Sequence, residues 1–164
     1  MTTTTELAGK VALVTGASRN IGRAIALALA ADGAAVAVNT RSSKEDADKV
    51  VQEIRQAGGQ AETFMADIVD AKAVNAMVDG VVKRFGRLDI LVLNASVRKE
   101  TAFMEMGFDE WRSLLSITLD GSFQVRRRGQ QSPECLTTGL RRELIQRLKN
   151  RVFHDVDRGH VGVL

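Results

Sequence analysis

At 164 residues, with 45% apolar and 26% charged side chains, the chain has the balance of one globular domain, which excludes wholesale disorder. No apolar run approaches the roughly 20 residues of a membrane-spanning helix, and Met1–Glu6, rich in threonine, is unlike a signal peptide. The single cysteine, Cys135, leaves no internal disulfide, so a cytoplasmic setting is expected.

The net charge of +3 joins two unlike parts. Residues 1–125 carry 14 Lys and Arg against 16 Asp and Glu, and residues 126–164 carry 9 against 4. The only proline, the only cysteine and both histidines also fall in the second part. The expected division is a folded domain over 1–125 and a basic tail over 126–164.

In chain order, Lys10–Thr15 is a short β-branched run ending at glycine, which predicts a strand buried on both faces. Asn20–Ala31 is a helix with Ile21, Ile25, Ala28 and Leu29 at helical spacing, closed by Gly33. Ala34–Asn39 is a second strand. Ser43 is placed to cap a helix whose stripe is Ala47, Val50, Val51, Ile54 and Ala57, ended by Gly58-Gly59. Gln60–Ala66, Asp70–Phe85 and Leu88–Asn94 continue as strand, helix and strand. Phe108–Val125 is a fourth helix around Trp111, Leu114, Leu115 and Leu119. This alternation predicts an α/β fold, a doubly wound parallel sheet of Rossmann-like type, incomplete, with about four strands and flanking helices. Beyond Val125 the pattern stops, although Leu140–Val152 could form a narrow helix and His160–Leu164 a strand.

The first turn carries the chemistry. Thr15-Gly16-Ala17-Ser18-Arg19-Asn20-Ile21-Gly22 joins strand to helix, a context suited to a phosphate. Gly16 permits the tight turn, the N–H groups at the helix start face outward, and the helix dipole favours an anion. Gly22 lets helix and strand approach closely.

This run resembles the cofactor fingerprint of the short-chain dehydrogenase/reductases, with Asn20 where the family usually has glycine. Asn tolerates the left-handed conformation better than other non-glycine residues. Asp67-Ile68 resembles the pair that contacts the adenine ring, with a helix cap as the alternative role for Asp67. Asn94-Ala95-Ser96 resembles the family's Asn-Ala-Gly turn. The resemblance runs from about Leu7 to Val125. It implies a Rossmann-type dinucleotide-binding domain over 1–125 with Gly16, Ser18, Arg19, Asn20, Ile21, Gly22, Arg41, Asp67, Ile68, Asn94 and Ala95 toward the cofactor. No metal is expected.

Cofactor choice follows from charge. NAD sites place a carboxylate near the end of the second strand for the ribose 2′-hydroxyl. Here the run is Asn39-Thr40-Arg41-Ser42, with no acid until Glu45. Arg41 and Arg19 could bind a 2′-phosphate, so NADP is expected over NAD. The alternative is that both arginines are merely solvated. Lys99 and Ser96 lie near the nicotinamide end without an expected catalytic role.

The family's chemistry uses a tyrosine as general acid or base, aided by a lysine and a serine. This chain has no tyrosine, and Thr118 stands where the family has an asparagine in a run like Thr118-Leu119-Asp120-Gly121-Ser122-Phe123. No catalytic residue is therefore assigned. The resemblance implies an NADP-dependent oxidoreductase on a carbonyl or alcohol substrate, truncated, with an inactive dinucleotide-binding fragment as the alternative. The abrupt basic tail is also what an out-of-frame reading would produce. Nucleic acid is not an expected partner, because the Arg126–Arg128 and Arg141–Arg142 clusters lack stacking aromatics. Neither is a membrane. Self-association through an open edge of the fourth strand is expected.

Overall fold

The computed structural model describes residues 6–132 and Cys135. Its first strand, β1 (Val11–Val14), alternates its side chains between two cores. Ala12 and Val14 enter one, Val11 and Leu13 the other, and all four are buried. A strand buried on both faces needs helices above and below, and the next elements supply them.

Helix α1 (Asn20–Ala31) returns the chain to β2 (Ala35–Thr40), which pairs parallel with β1. Helix α2 (Lys44–Gln56) leads to β3 (Ala61–Met65), parallel to β2, and α3 (Ala71–Phe85) leads to β4 (Ile90–Val92), parallel to β1 on its other side. The sheet order is β3-β2-β1-β4. Leu29 of α1 and Val50 and Ile54 of α2 fill one core; Val74, Met77, Val78 and Val81 of α3 fill the other.

Local chemistry sets the helix ends. Asp70 Oδ1 accepts from the backbone N–H groups of Lys72 and Ala73, capping α3. Ser43 stands at the cap position of α2, but its side chain makes no capping bond; Glu45 and Asp46 in the first turn complement the dipole instead.

The predicted fourth helix departs from expectation. It is two α-helical segments, α4 (Phe108–Leu115) and α5 (Ser122–Gly129), joined by π-helical winding over Ser116–Gly121. Its expected stripe does not face the core, and Leu119 and Phe123 are 60% and 59% exposed. The inward positions are Gly121, Val125 and Gly129, each four residues apart and buried. A Cβ on Gly121 would stand 2.6 Å from Ile68 Cδ1, and one on Gly129 would overlap Leu91. The wider winding thus aligns the helix's small residues with the sheet and α3.

The helix passes Val125 without interruption, so the compositional break falls inside α5. Arg128 pairs with Asp79 of α3, and Ser132 is buried. The Leu140–Val152 helix and the His160–Leu164 strand lie outside the described residues. Among the described residues no helix is long and apolar enough to cross a membrane. The outer edge of β4 has no strand paired to it among them.

A buried carboxylate ties the opposite end of the sheet. Asp89 is fully buried and accepts from Val11 N at 2.9 Å, Lys10 Nζ at 3.1 Å, and Arg87 Nε and Nη2 at 2.8 and 2.5 Å. Burial pushes its carboxyl upward, but the Arg87 hydrogen bonds, the Val11 N–H and Lys10 together hold it below the usual carboxylate value.

Candidate cofactor site

All four parallel strands end on the same edge, and the sequence-predicted residues gather there. The sheet order reverses between β1 and β4, the place where open α/β sheets bind ligands.

The turn after β1 is held by β4. Thr15, itself buried, donates from Oγ1 to the Val92 carbonyl at 3.2 Å. The same oxygen accepts from the backbone N–H groups of Asn94 at 3.0 Å and Ala95 at 3.1 Å. Asn94 answers with its side-chain amide, donating to the Thr15 and Gly16 carbonyls at 3.0 and 3.1 Å. Asn94 and Ala95 are thus the support of the glycine turn.

Two glycines make the turn sterically feasible. Gly16 has φ +63°, and an added Cβ would lie 2.9 Å from Ala95 Cα. Its missing side chain therefore leaves room for Ala95. Gly22 lies in the first turn of α1, where a Cβ would stand 2.5 Å from Asn94 Nδ2 and 3.0 Å from Ala17 Cα. Asn20, in the family's glycine position, adopts φ +50°, as the sequence led us to expect.

The end of β2 closes the other side. The Ala17 N–H donates to the Asn39 carbonyl at 2.9 Å. Buried Asn39 donates through Nδ2 to the Phe64 and Ala66 carbonyls at 3.1 and 3.2 Å, binding β2 to the end of β3. Thr40 Oγ1 lies 3.5 Å from Ser18 Oγ, placing Ser18 under the turn. Thr15 and Asn39 were not singled out in the sequence; their signal is a polar side chain at the last position of an otherwise apolar strand.

Arg19, Asn20 and Ile21 are exposed at the start of α1. Among the described residues this helix start has no side-chain cap and no acid in its first turn. Exposed Arg41 follows β2, with Nη1 4.0 Å from Asp67 Oδ2 after β3. Asp67 is not the cap of α3, since Asp70 fills that role; its Oδ1 accepts from Val69 N at 3.1 Å. Ile68 is buried in the second core, so only its backbone is offered to a ligand. This donor set fits a dinucleotide: free N–H groups at a helix N-terminus for phosphate, and a guanidinium beside them.

The residues placed near the nicotinamide end are not drawn into a catalytic group. Ser96 is exposed, and Lys99 Nζ pairs with Glu110 at 3.0 Å. The Thr101 hydroxyl and Lys99 hold the Glu110 carboxyl below its usual range. Thr118 is exposed on the π-helical turn. No cluster of metal-ligating side chains occurs among the described residues.

A parallel sheet with its glycine turn at the switch point defines a Rossmann-type α/β domain. The family model for short chain dehydrogenase matches residues 10–132, and the chain belongs to that family of oxidoreductases. It is 47% identical over 114 residues to 3-oxoacyl-acyl-carrier-protein reductase FabG of Staphylococcus aureus, covering 70% of this chain and 46% of the relative. The corresponding reductase of Synechocystis is 42% identical over 119 residues, covering 73% and 48%. Among solved structures, a dehydrogenase/reductase from Sinorhizobium meliloti superimposes with TM-score 0.76 at 38% identity, over 79% of this chain and 52% of that one. A short chain dehydrogenase from Burkholderia cenocepacia, solved in complex with NADP, gives TM-score 0.73 at 40% identity, over 77% and 51%. The chain spans about half the length of the curated relatives it matches.

Proposed function

We propose that this chain carries the NADP-binding half of a short-chain oxidoreductase acting on a carbonyl or alcohol substrate. The observation that carries the reading is Arg41, exposed at the end of β2 where an NAD site would present a carboxylate. In this reading Gly16, Ser18, Arg19, Asn20, Ile21 and Gly22 hold the pyrophosphate at the start of α1. Arg41 takes the 2′-phosphate, Asp67 and the Ile68 backbone border the adenine, and Asn94 and Ala95 fix the turn. Bound nicotinamide would supply or accept hydride. The NADP bound to the Burkholderia relative supports the choice of cofactor. The names of the FabG relatives point to a 3-oxoacyl carbonyl as the kind of carbon reduced. A cytoplasmic setting and self-association along the free edge of β4 belong to the same reading.

A second reading has its own observation. The 164 residues include no tyrosine, so the family's usual proton donor is lacking and the chain would bind NADPH without turning it over. Nicotinamide fluorescence with purified chain tests the first reading. NADPH should bind more tightly than NADH, and Arg41→Asp should invert or erase that preference. Equal affinities in the unsubstituted chain would remove the NADP assignment. NADPH oxidation with a panel of ketones then separates the two readings.

A further inference from the structure

The ends of β2 and β3 force two opposite charges together. Thr40 is in register with Met65, and the Ala66 N–H donates to the Thr40 carbonyl at 3.1 Å. The next residue of one strand end, Arg41, and the second of the other, Asp67, therefore lie side by side. Asp67 is not free to turn away. Its Oδ1 is held by the Val69 N–H at 3.1 Å, which leaves Oδ2 facing the Arg41 guanidinium 4.0 Å off. Both side chains are largely in water, 58% and 44% exposed.

From this we infer that Asp67 is a latch on Arg41 that sets the selectivity for a 2′-phosphorylated adenine nucleotide. The inference rests on the NADP reading above. The Asp67 carboxylate stands 4.0 Å from the guanidinium, near enough to attract it but not to hydrogen-bond it. A 2′-phosphate, carrying about −1.5 to −2 charges and several acceptor oxygens, outcompetes a single carboxylate for that guanidinium. It does so against the existing pair and with Asp67 remaining as an anionic neighbour. A 2′-hydroxyl needs neither event. Asp67 thus weakens the phosphorylated cofactor relative to the unphosphorylated one, since the adenine it borders is common to both. Because the pair is exposed and screened, the effect is modest, about two- to five-fold in affinity.

The experiment is a double-mutant cycle on the full chain, reading NADPH and NADH affinities by nicotinamide fluorescence at low and high salt. Asp67→Asn keeps an acceptor for the Val69 N–H and removes the charge; Asp67→Ser is a second variant that does the same with a smaller group. Either should raise the NADPH-over-NADH preference two- to five-fold at low salt, less at high salt. With Arg41→Ala already in place, the same substitution should lose at least half of its effect. An unchanged preference overturns the latch, and so does an equal gain with and without Arg41, which would mark simple repulsion of the phosphate. If the unsubstituted chain binds both nucleotides equally, the NADP reading itself fails. If it prefers NADPH but shows no coupling, the latch alone fails. Binding of neither nucleotide removes both.

Discussion

Gly22→Ala is the smallest change that tests the cradle. In the interior of a helix, alanine would stabilise by about 0.8–1 kcal/mol over glycine. Here the new methyl would stand 2.5 Å from Asn94 Nδ2 and 3.0 Å from Ala17 Cα, and would overlap the Gly16 carbonyl oxygen. Two of those neighbours are backbone and cannot rotate away, so the turn must shift, at about 1–3 kcal/mol for overpacking. The Asn94 amide bonds to the Thr15 and Gly16 carbonyls are displaced with it, at about 0.5–1.5 kcal/mol each. Set against the propensity gain, the net is a destabilisation of about 1–5 kcal/mol, a sizeable part of a domain's roughly 5–15 kcal/mol. Gly80→Ala in α3 is the control. Its methyl would meet only the Phe64 ring edge, at 3.2 Å from Cε1, so the propensity gain and a slight ring shift should leave stability within about 1 kcal/mol of the unsubstituted chain. Urea unfolding followed by circular dichroism reads both, since about 1 kcal/mol moves the midpoint by a few tenths of a molar to one molar. NADPH affinity should fall at least tenfold in Gly22→Ala, by about 1.4 kcal/mol or more. A Gly22→Ala chain as stable as the unsubstituted one, with the same affinity, would refute the steric argument.

Three further outcomes follow from named contacts. Thr15→Val should destabilise by about 1–3 kcal/mol, because the part-buried N–H groups of Asn94 and Ala95 lose their acceptor, while Thr15→Ser should recover most of it in the same urea assay. Asp89→Asn should cost about 2–4 kcal/mol, below the full value for breaking a buried pair, since the Lys10 and Arg87 side chains are each 37% exposed. The Asp89 carboxyl is depressed in the folded chain below its ordinary 3.8, so its stabilisation is complete above that value and is lost as pH falls through the folded value; the gap between the two chains in acid titrations of unfolding should therefore close on acidification. Gly129→Val should push α5 off Leu91 and lower the thermal midpoint, whereas an unchanged midpoint would mean that α5 contributes nothing to the fold.

Much of the fold was legible because both periodicities are strong. The limits of α1, Asn20–Ala31, coincide with the predicted ones, and strands of two-faced apolar residues between amphipathic helices gave the parallel doubly wound sheet. The helix after β4 was harder. Trp111, Leu114, Leu115 and Leu119 form a stripe at helical spacing, but a stripe reveals an apolar face, not the surface it meets. The chain docks this helix through Ile117, Gly121, Val125 and Gly129, and the two glycines among them carry no hydrophobic signal. Arg126–Arg128 read as the start of a basic tail; they are the last turn of α5, where cations complement the helix dipole and Arg128 reaches Asp79. At the cofactor edge, glycine and asparagine positions announced the turn. Thr15 and Asn39 did not stand out, because their hydrogen bonds go to strands distant in sequence.

On the proposed reading, holding the cofactor rests on the glycine turn and its supports. The bonds that shape the glycine turn are made among the carboxyl ends of β1, β2, β3 and β4 and the Asn94–Ala95 segment: Thr15 to Val92, Asn94 to Thr15 and Gly16, Ala17 to Asn39, and Asn39 to Phe64 and Ala66. Among the described residues no buried side-chain polar atom is left without a hydrogen bond. A preorganised cradle of this kind loses little entropy when a dinucleotide settles on it. Among the described residues Ser96 is exposed and Lys99 is held by Glu110, and no tyrosine occurs in the 164 residues. Affinity for NADPH and turnover of NADPH are therefore separable measurements on this chain. The first reads the turn between β1 and α1. The second reads whether any side chain reaches the substrate oxygen with a proton to give, and a chain that binds NADPH tightly yet leaves it unoxidised with every ketone offered would place the whole of its function in the first.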